Sequence, residues 1–204
     1  MQFEPGSGYH VFYYGVDAVM GWSFHKMFGH SSLDTAVRRS YIATVEQARQ
    51  PGFYVDWSVP DSAIGRFDVI ALHCFLVLHR LKSEASAKKF LEVYCETLFD
   101  DMDRNLREMG VGDLSVGKKV RKLAEGFFGR AVAYGDALGD DDDQLFNVLR
   151  RNLFAGVDPG GTALKHLADY VRRSVSHLAL QEVSLLIEGR IEFAPLTKKT
   201  DQQR

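Results

Sequence analysis

The sequence predicts an all-α fold, a single bundle of about six helices, on three observations. Apolar residues recur every third or fourth position from residue 33 onward, with no sustained polar and apolar alternation. Glycine, proline and short polar side chains interrupt that pattern where helix ends would fall. One stretch, VIALHCFLVL from Val69 to Leu78, is apolar on every side yet only half the ~20 residues that cross a bilayer. A helix of that kind belongs at the centre of a bundle, covered all round.

Each element follows from local chemistry. The first helix is expected over about Leu33–Arg49, with Val37, Tyr41, Val45 and Ala48 on one face and Pro51-Gly52 as its stop. The segment from Ser58 to Asp61 supplies a proline and polar caps for a second helix reaching Leu81. A third begins near Ser83 and buries Leu91, Tyr94, Leu98, Met102, Leu106 and Met109; Gly110-Val111-Gly112 ends it with a left-handed glycine and a following apolar residue. Ser115 caps a fourth, whose stripe is Val116, Val120, Leu123, Phe127, Ala131, Tyr134 and Leu138, and the short connection makes the pair antiparallel. A fifth follows the acidic run Asp140–Asp143 and closes on Arg150 and Arg151, charges that suit the two ends of a helix dipole. Thr162 opens the last long helix through Leu164, Leu167, Val171, Val175 and Leu178 toward Glu188, and the chain after Gly189 is extended.

Residues 1–32 stand apart, with eight aromatics among glycines and Lys26 as the one basic residue. That composition fits neither a secretory signal nor an arginine-rich transit peptide. The expected organisation is therefore a leader over 1–32, outside the core, a helical domain over 33–196 and a flexible tail over 197–204. The first 19 residues, ahead of Met20, read as an upstream extension or an over-long start, and the fold is expected to spare them.

The 204 residues carry 25 Lys and Arg against 27 Asp and Glu, a net charge of −2, so the global attraction that drives nucleic-acid binding is missing. Cys74 and Cys95 sit in apolar stretches and build neither a disulfide framework nor a four-ligand zinc site; a reducing compartment fits them. The string GDLSVGK from Gly112 to Lys118 has phosphate-loop spacing, but Lys119 stands where Ser or Thr would hold magnesium, and the string follows a helix rather than a strand. Asp101, Asp103 and Asn105 open like a calcium loop, yet Leu106 and Gly112 occupy the places of its glycine and glutamate. Helical pairs Asp100 with Arg104 and Asp103 with Arg107 explain those acids better. The seven histidines form no metal-binding spacing, and no nucleophile motif occurs, so no catalytic residue, metal or cofactor is assigned. His73, inside the apolar helix, reads as a hydrogen-bonded core residue.

One feature breaks a local rule. Lys118, Lys119, Arg121 and Lys122 crowd the first turns of the fourth helix, where the dipole disfavours cations, and Lys118 with Lys122 adds a like-charge pair. Asp100, Asp101 and Asp103 lie at a similar distance from the turn and can offset them across the hairpin, Arg121 and Lys122 closest. Otherwise the cluster, with Arg104 and Arg107 beside it, faces a partner. These six residues are the candidate partner-binding set.

The stretch DDMDRNLREMGVGDLSVGKKVRKLAEGFFGRAVAY, Asp100 to Tyr134, resembles the ubiquinol-cytochrome c chaperone family, and VPDSAIGRFDVIALHCFLVLHRLK, Val59 to Lys82, is similar to that family's other marked segment. The likeness runs from about Leu33 to Pro195. Val69, His79 and Phe128 depart from the family pattern without changing the packing character of their positions, although His79, where the family has Arg, weakens any role for a fixed charge there. The resemblance implies a non-enzymatic helical chaperone that binds newly made cytochrome b with a small partner protein and assists biogenesis of ubiquinol-cytochrome c reductase. Without the arginine-rich address, a bacterial member in the cytoplasm is expected, reaching the inner membrane through its client. The competing class is a small-ligand or haem-handling protein, with His73 or His166 as axial ligand. Oligomeric state is left open.

Overall fold

The structure is a computed structural model that describes residues 31–139, 142–155 and 159–196. The expected tail, the leader up to residue 30 and the first two residues of the acidic run lie outside the described residues. The element order is α1 (Ser32–Ala48), α2 (Pro51–Val55), α3 (Ala63–Leu81), a 3-10 turn (Ala85–Ala87), α4 (Lys88–Glu108), α5 (Asp113–Gly139), α6 (Asp142–Leu153), α7 (Gly161–Ala179) and α8 (Val183–Ile187). The fold is an all-α helical bundle with no strand among the described residues, and its long helices are α1, α3, α4, α5, α6 and α7.

Two compact units emerge from the packing. One holds α1 up to Tyr41, the segment Leu81–Val132 and the segment Val183–Arg190. The other holds Ile42–Arg80, Ala133–Glu182 and the chain from Ile191.

In the first unit α1 starts on a reciprocal cap. The Asp34 amide donates to Ser31 Oγ at 3.1 Å and the Ser31 amide to Asp34 Oδ2 at 3.3 Å, which satisfies two amides that the helix itself leaves orphaned. Val37 and Tyr41 are buried as expected; farther along the helix Thr44 takes the core position that periodicity gave to Val45. The core of this unit is aromatic: Tyr94 lies against Tyr41 and Phe90, and Phe99 against Phe127 and Phe128, all within 6.1 Å between ring centres. Each such side chain, fully removed from water, contributes about 1.5–3 kcal/mol. α4 ends as its sequence dictates. Gly110 has φ +83°, its amide reaches Arg107 O at 2.9 Å, and the Val111 amide reaches Leu106 O at 3.0 Å, so the last carbonyls of the helix are paired. The stripe fades toward that end, however: Leu106 is half-buried and Met109 is 62% exposed. α5 begins two residues before Ser115, whose hydroxyl bonds back to Gly112 O at 3.0 Å rather than capping the helix. α8 is separate from α7 and closes on Gly189 at φ +89°, where a Cβ would stand 2.5 Å from Ala36 O. Arg39 Nη1 donates to Glu188 O at 3.3 Å beside it.

In the second unit Pro51 does more than stop α1. Its fixed φ suits a first helical position, and it opens α2, a single turn that buries Phe53. The following helix is capped one residue beyond the expected segment: the Gly65 amide donates to Ser62 Oγ at 3.1 Å. In α3 the stretch Ala71–Leu78 is buried without a gap, as an all-round apolar helix requires. The chain after Gly189 is extended, as expected, and is held down. Gln47 Nε2 donates to Ala194 O at 3.2 Å, Arg173 Nη1 to Pro195 O at 2.8 Å, and Gln181 exchanges two hydrogen bonds with the Glu192 backbone at 2.7 and 3.1 Å.

Candidate functional site

The cationic cluster sits on the outer face of α5. Val116, Val120 and Ala124 turn that helix's inner face into the core, which leaves Lys118, Lys119, Arg121 and Lys122 exposed. Among the described residues none of the four makes an ion pair or hydrogen bond. The ion pairs expected across the hairpin therefore do not form among the described residues. The acids are engaged on their own side. Asp101 accepts from Tyr41 Oη at 2.9 Å and from Arg104, its neighbour one turn on. Asp103 pairs with Arg107 at 2.5 Å, as the helical spacing predicts, and Arg107 also reaches Asp113. Arg104 serves Asp101, so the expected pair with Asp100 does not form. Asp100, half-buried, is pushed up to about 6 by desolvation and by the neighbouring Glu96 and Asp103, with Arg104 opposing.

Arg104 and Arg107 thus lie at the same end of the hairpin as the α5 cluster but are committed to carboxylates. Of the six candidate cations, the four unpaired ones are those of α5, where residues 114–124 contain no acid. Two aliphatic side chains flank that cluster at the turn, Met109 and Leu114, and Leu114 is fully exposed.

The second unit holds a buried polar cluster. His73 lies 2.7 Å from Val69 O through Nδ1 and 2.7 Å from Tyr170 Oη through Nε2. A carbonyl only accepts, so Nδ1 carries the proton and the Tyr170 hydroxyl donates to Nε2. Gln47 Nε2 then donates to the Tyr170 oxygen at 3.0 Å. Phe53 and Phe193 stand edge-on to the imidazole at 5.3 and 5.0 Å. Burial pulls the His73 pKa down to about 4 despite the Val69 carbonyl, and pushes Tyr170 up to about 12. Both ring nitrogens of His73 are engaged, which removes the lone pair an axial haem ligand needs. His166, the other candidate, is buried and stacks on Trp57 at 6.1 Å. No cluster of three or more His, Cys, Asp or Glu suited to a metal occurs among the described residues.

One surface feature escaped the sequence. Arg49, Pro51, Tyr54, Val55, Asp61 and Arg66 line an open cleft of about 230 Å³ in the second unit. Val55 in its lining and Ile64, the second residue of α3, are 78% and 73% exposed. Two prolines, Pro51 and Pro60, bracket the segment and are the available sequence signal for an irregular surface there.

Comparison with known proteins places this architecture. The family model described as ubiquinol-cytochrome C chaperone matches residues 55–193, from the last residue of α2 to the extended tail. This chain belongs to that family. Among curated proteins the chain is similar to the ubiquinol-cytochrome-c reductase complex assembly factor 1 of Xenopus laevis, 28% identical over 90% of this chain and 92% of its own length. The Homo sapiens protein of the same name is 24% identical over 90% of this chain, which spans 62% of the human length. The crystal structure of the Cbp3 homolog from Brucella abortus superposes with a TM-score of 0.74 and 35% identity, covering 81% of this chain and 92% of that one. The chaperone family is one of ubiquinol-cytochrome c reductase assembly, and its name implies a role without catalysis. No helix among the described residues is long and apolar enough to cross a membrane.

Proposed function

We propose that this chain is a chaperone that binds newly made cytochrome b, acting with a small partner protein, and delivers it to the assembling ubiquinol-cytochrome c reductase. The observation that carries the reading is the family match across residues 55–193, which takes in α3 to α8 and the pinned extended segment together. The surface chemistry is compatible with a binding role. Exposed aliphatic side chains, Val55 and Ile64 at a cleft with an arginine rim, offer apolar contact with a polar surround. Non-enzymatic action in a bacterial cytoplasm, at the inner face of the inner membrane, completes the proposal.

Deletion of the gene in a respiring host that makes this reductase tests it. Assembled cytochrome b is expected to fall several-fold while other haem proteins stay near normal. Normal reductase in the deletion strain would refute the assignment, and an equal fall in every haem protein would move it to haem supply.

A further inference from the structure

The turn between α4 and α5 gathers features that the helical core does not need. Leu114 is fully exposed in the first turn of α5, and Met109, on the other side of the turn, is 62% exposed. A Cβ built on Gly110, Gly112 or Gly117 would meet nothing within 4 Å among the described residues, so the turn beside Leu114 is open there. Behind it, four to eight residues along α5, come Lys118, Lys119, Arg121 and Lys122, all exposed and without an acid partner among the described residues. At 1.5 Å per residue this places them about 6–12 Å along the axis from Leu114. The acids nearest the turn have cations of their own, Asp113 with Arg107 and Glu108 in the field of Arg104.

We infer that this end of the hairpin docks the chain directly on an anionic phospholipid surface. Leu114 enters the boundary between headgroups and acyl chains, and the four cations meet the phosphates. The spacing suits that depth, because interfacial side chains sink about 5–10 Å while the headgroup layer above them is of similar thickness. An acidic protein would explain the cations but not the fully exposed leucine on an open turn, which a soft surface accommodates without a matching pocket. The inference goes beyond the assembly role and stands on the hairpin alone.

Flotation of the purified full chain with vesicles of phosphatidylcholine and phosphatidylglycerol in two-to-one ratio, against phosphatidylcholine alone, tests it. Each cation near an anionic surface changes partitioning by about five-fold, so Lys118→Gln/Lys119→Gln is expected to lower binding at least about ten-fold, as does raised salt. Leu114→Gln, at unchanged charge, lowers it about ten-fold as well. Arg150→Gln/Arg151→Gln on α6, an equal loss of charge at exposed positions, leaves binding within about two-fold. Circular dichroism confirms that each variant is folded. Equal binding to both vesicle types overturns the inference, as does an equal loss from the α6 variant. Capture on immobilised polyglutamate that survives Leu114→Gln, without vesicle binding, overturns it in favour of an acidic protein partner. Vesicle binding as described in a chain that fails to support reductase assembly sustains the lipid contact and refutes the assembly reading alone.

Discussion

Two sites, one in each unit of this chain, treat polar groups in opposite ways. Around His73 every polar atom of the imidazole has a fixed partner inside an aromatic shell, and the ring is held neutral. At the α4–α5 hairpin, charge is concentrated on a solvent-facing helix surface and left unpaired, while Asp100 is held among like charges. Unpartnered charge of that kind does not stabilise a fold, since a cation cluster at a helix start works against the dipole. Paired and buried groups specify a structure; unpaired, exposed ones are available to something outside it.

The largest effect that would break this comparison is acid sensitivity at His73. The unfolded imidazole takes up a proton near its ordinary pKa of about 6.5, whereas the folded one resists until about 4. Between those values the unfolded chain binds more protons, so stability falls as pH falls through that window, by up to about 3 kcal/mol in all. Denaturant unfolding of the Asp100→Asn chain, which lacks the opposing titration of that carboxyl, is expected to show that loss at pH 7, 6, 5 and 4, and Tyr170→Phe, which strips the donor from Nε2, should lower stability at every pH. A flat profile across the window would place His73 in contact with water.

Asp100 sharpens the contrast with an opposite sign. Its folded carboxyl titrates near 6 and its unfolded one near the ordinary 3.8, so the folded state binds the extra proton in between and stability is regained as pH falls. Above that range the ionised group costs the fold. Asp100→Asn is therefore expected to stabilise the chain at pH 7.5 by about 1 kcal/mol, reduced from the full shift because the group is only half-buried, and to change little at pH 4. Destabilisation at pH 7.5 would mean that the carboxylate has a partner it needs.

Local signals made much of the fold legible. The glycine and valine at 110 and 111 announce the end of α4, and the unbroken apolar run in α3 announces a central helix, because each depends on residues within a turn or two. Pro51 was legible only as a boundary, since the same ring that stops one helix can open the next. Contacts that depend on how a helix is rotated against a distant one were not legible: Tyr41 on Asp101, Tyr170 on His73, Gln47 on the final segment. The same cause misplaced the charges of the hairpin. Equal distance from a turn brings two residues to one level, but the helical phase of α4 turns its acids toward Tyr41, Arg104 and Arg107. Of the candidate set, the sequence located the cluster but not which of its members were already committed.

The central claim is that the α5 face serves association and leaves the fold to the buried clusters, and one measurement bears on it most directly. In a strain whose only copy of the chain carries Lys118→Gln, Lys119→Gln, Arg121→Gln and Lys122→Gln together, assembled ubiquinol-cytochrome c reductase is quantified beside the amount of the chain itself. Four exposed, unpaired cations contribute little to stability and repel one another, so the chain should accumulate at its normal level. The account predicts that normal level with reductase reduced several-fold. Full assembly of the reductase by the uncharged variant, at equal chain level, would contradict it.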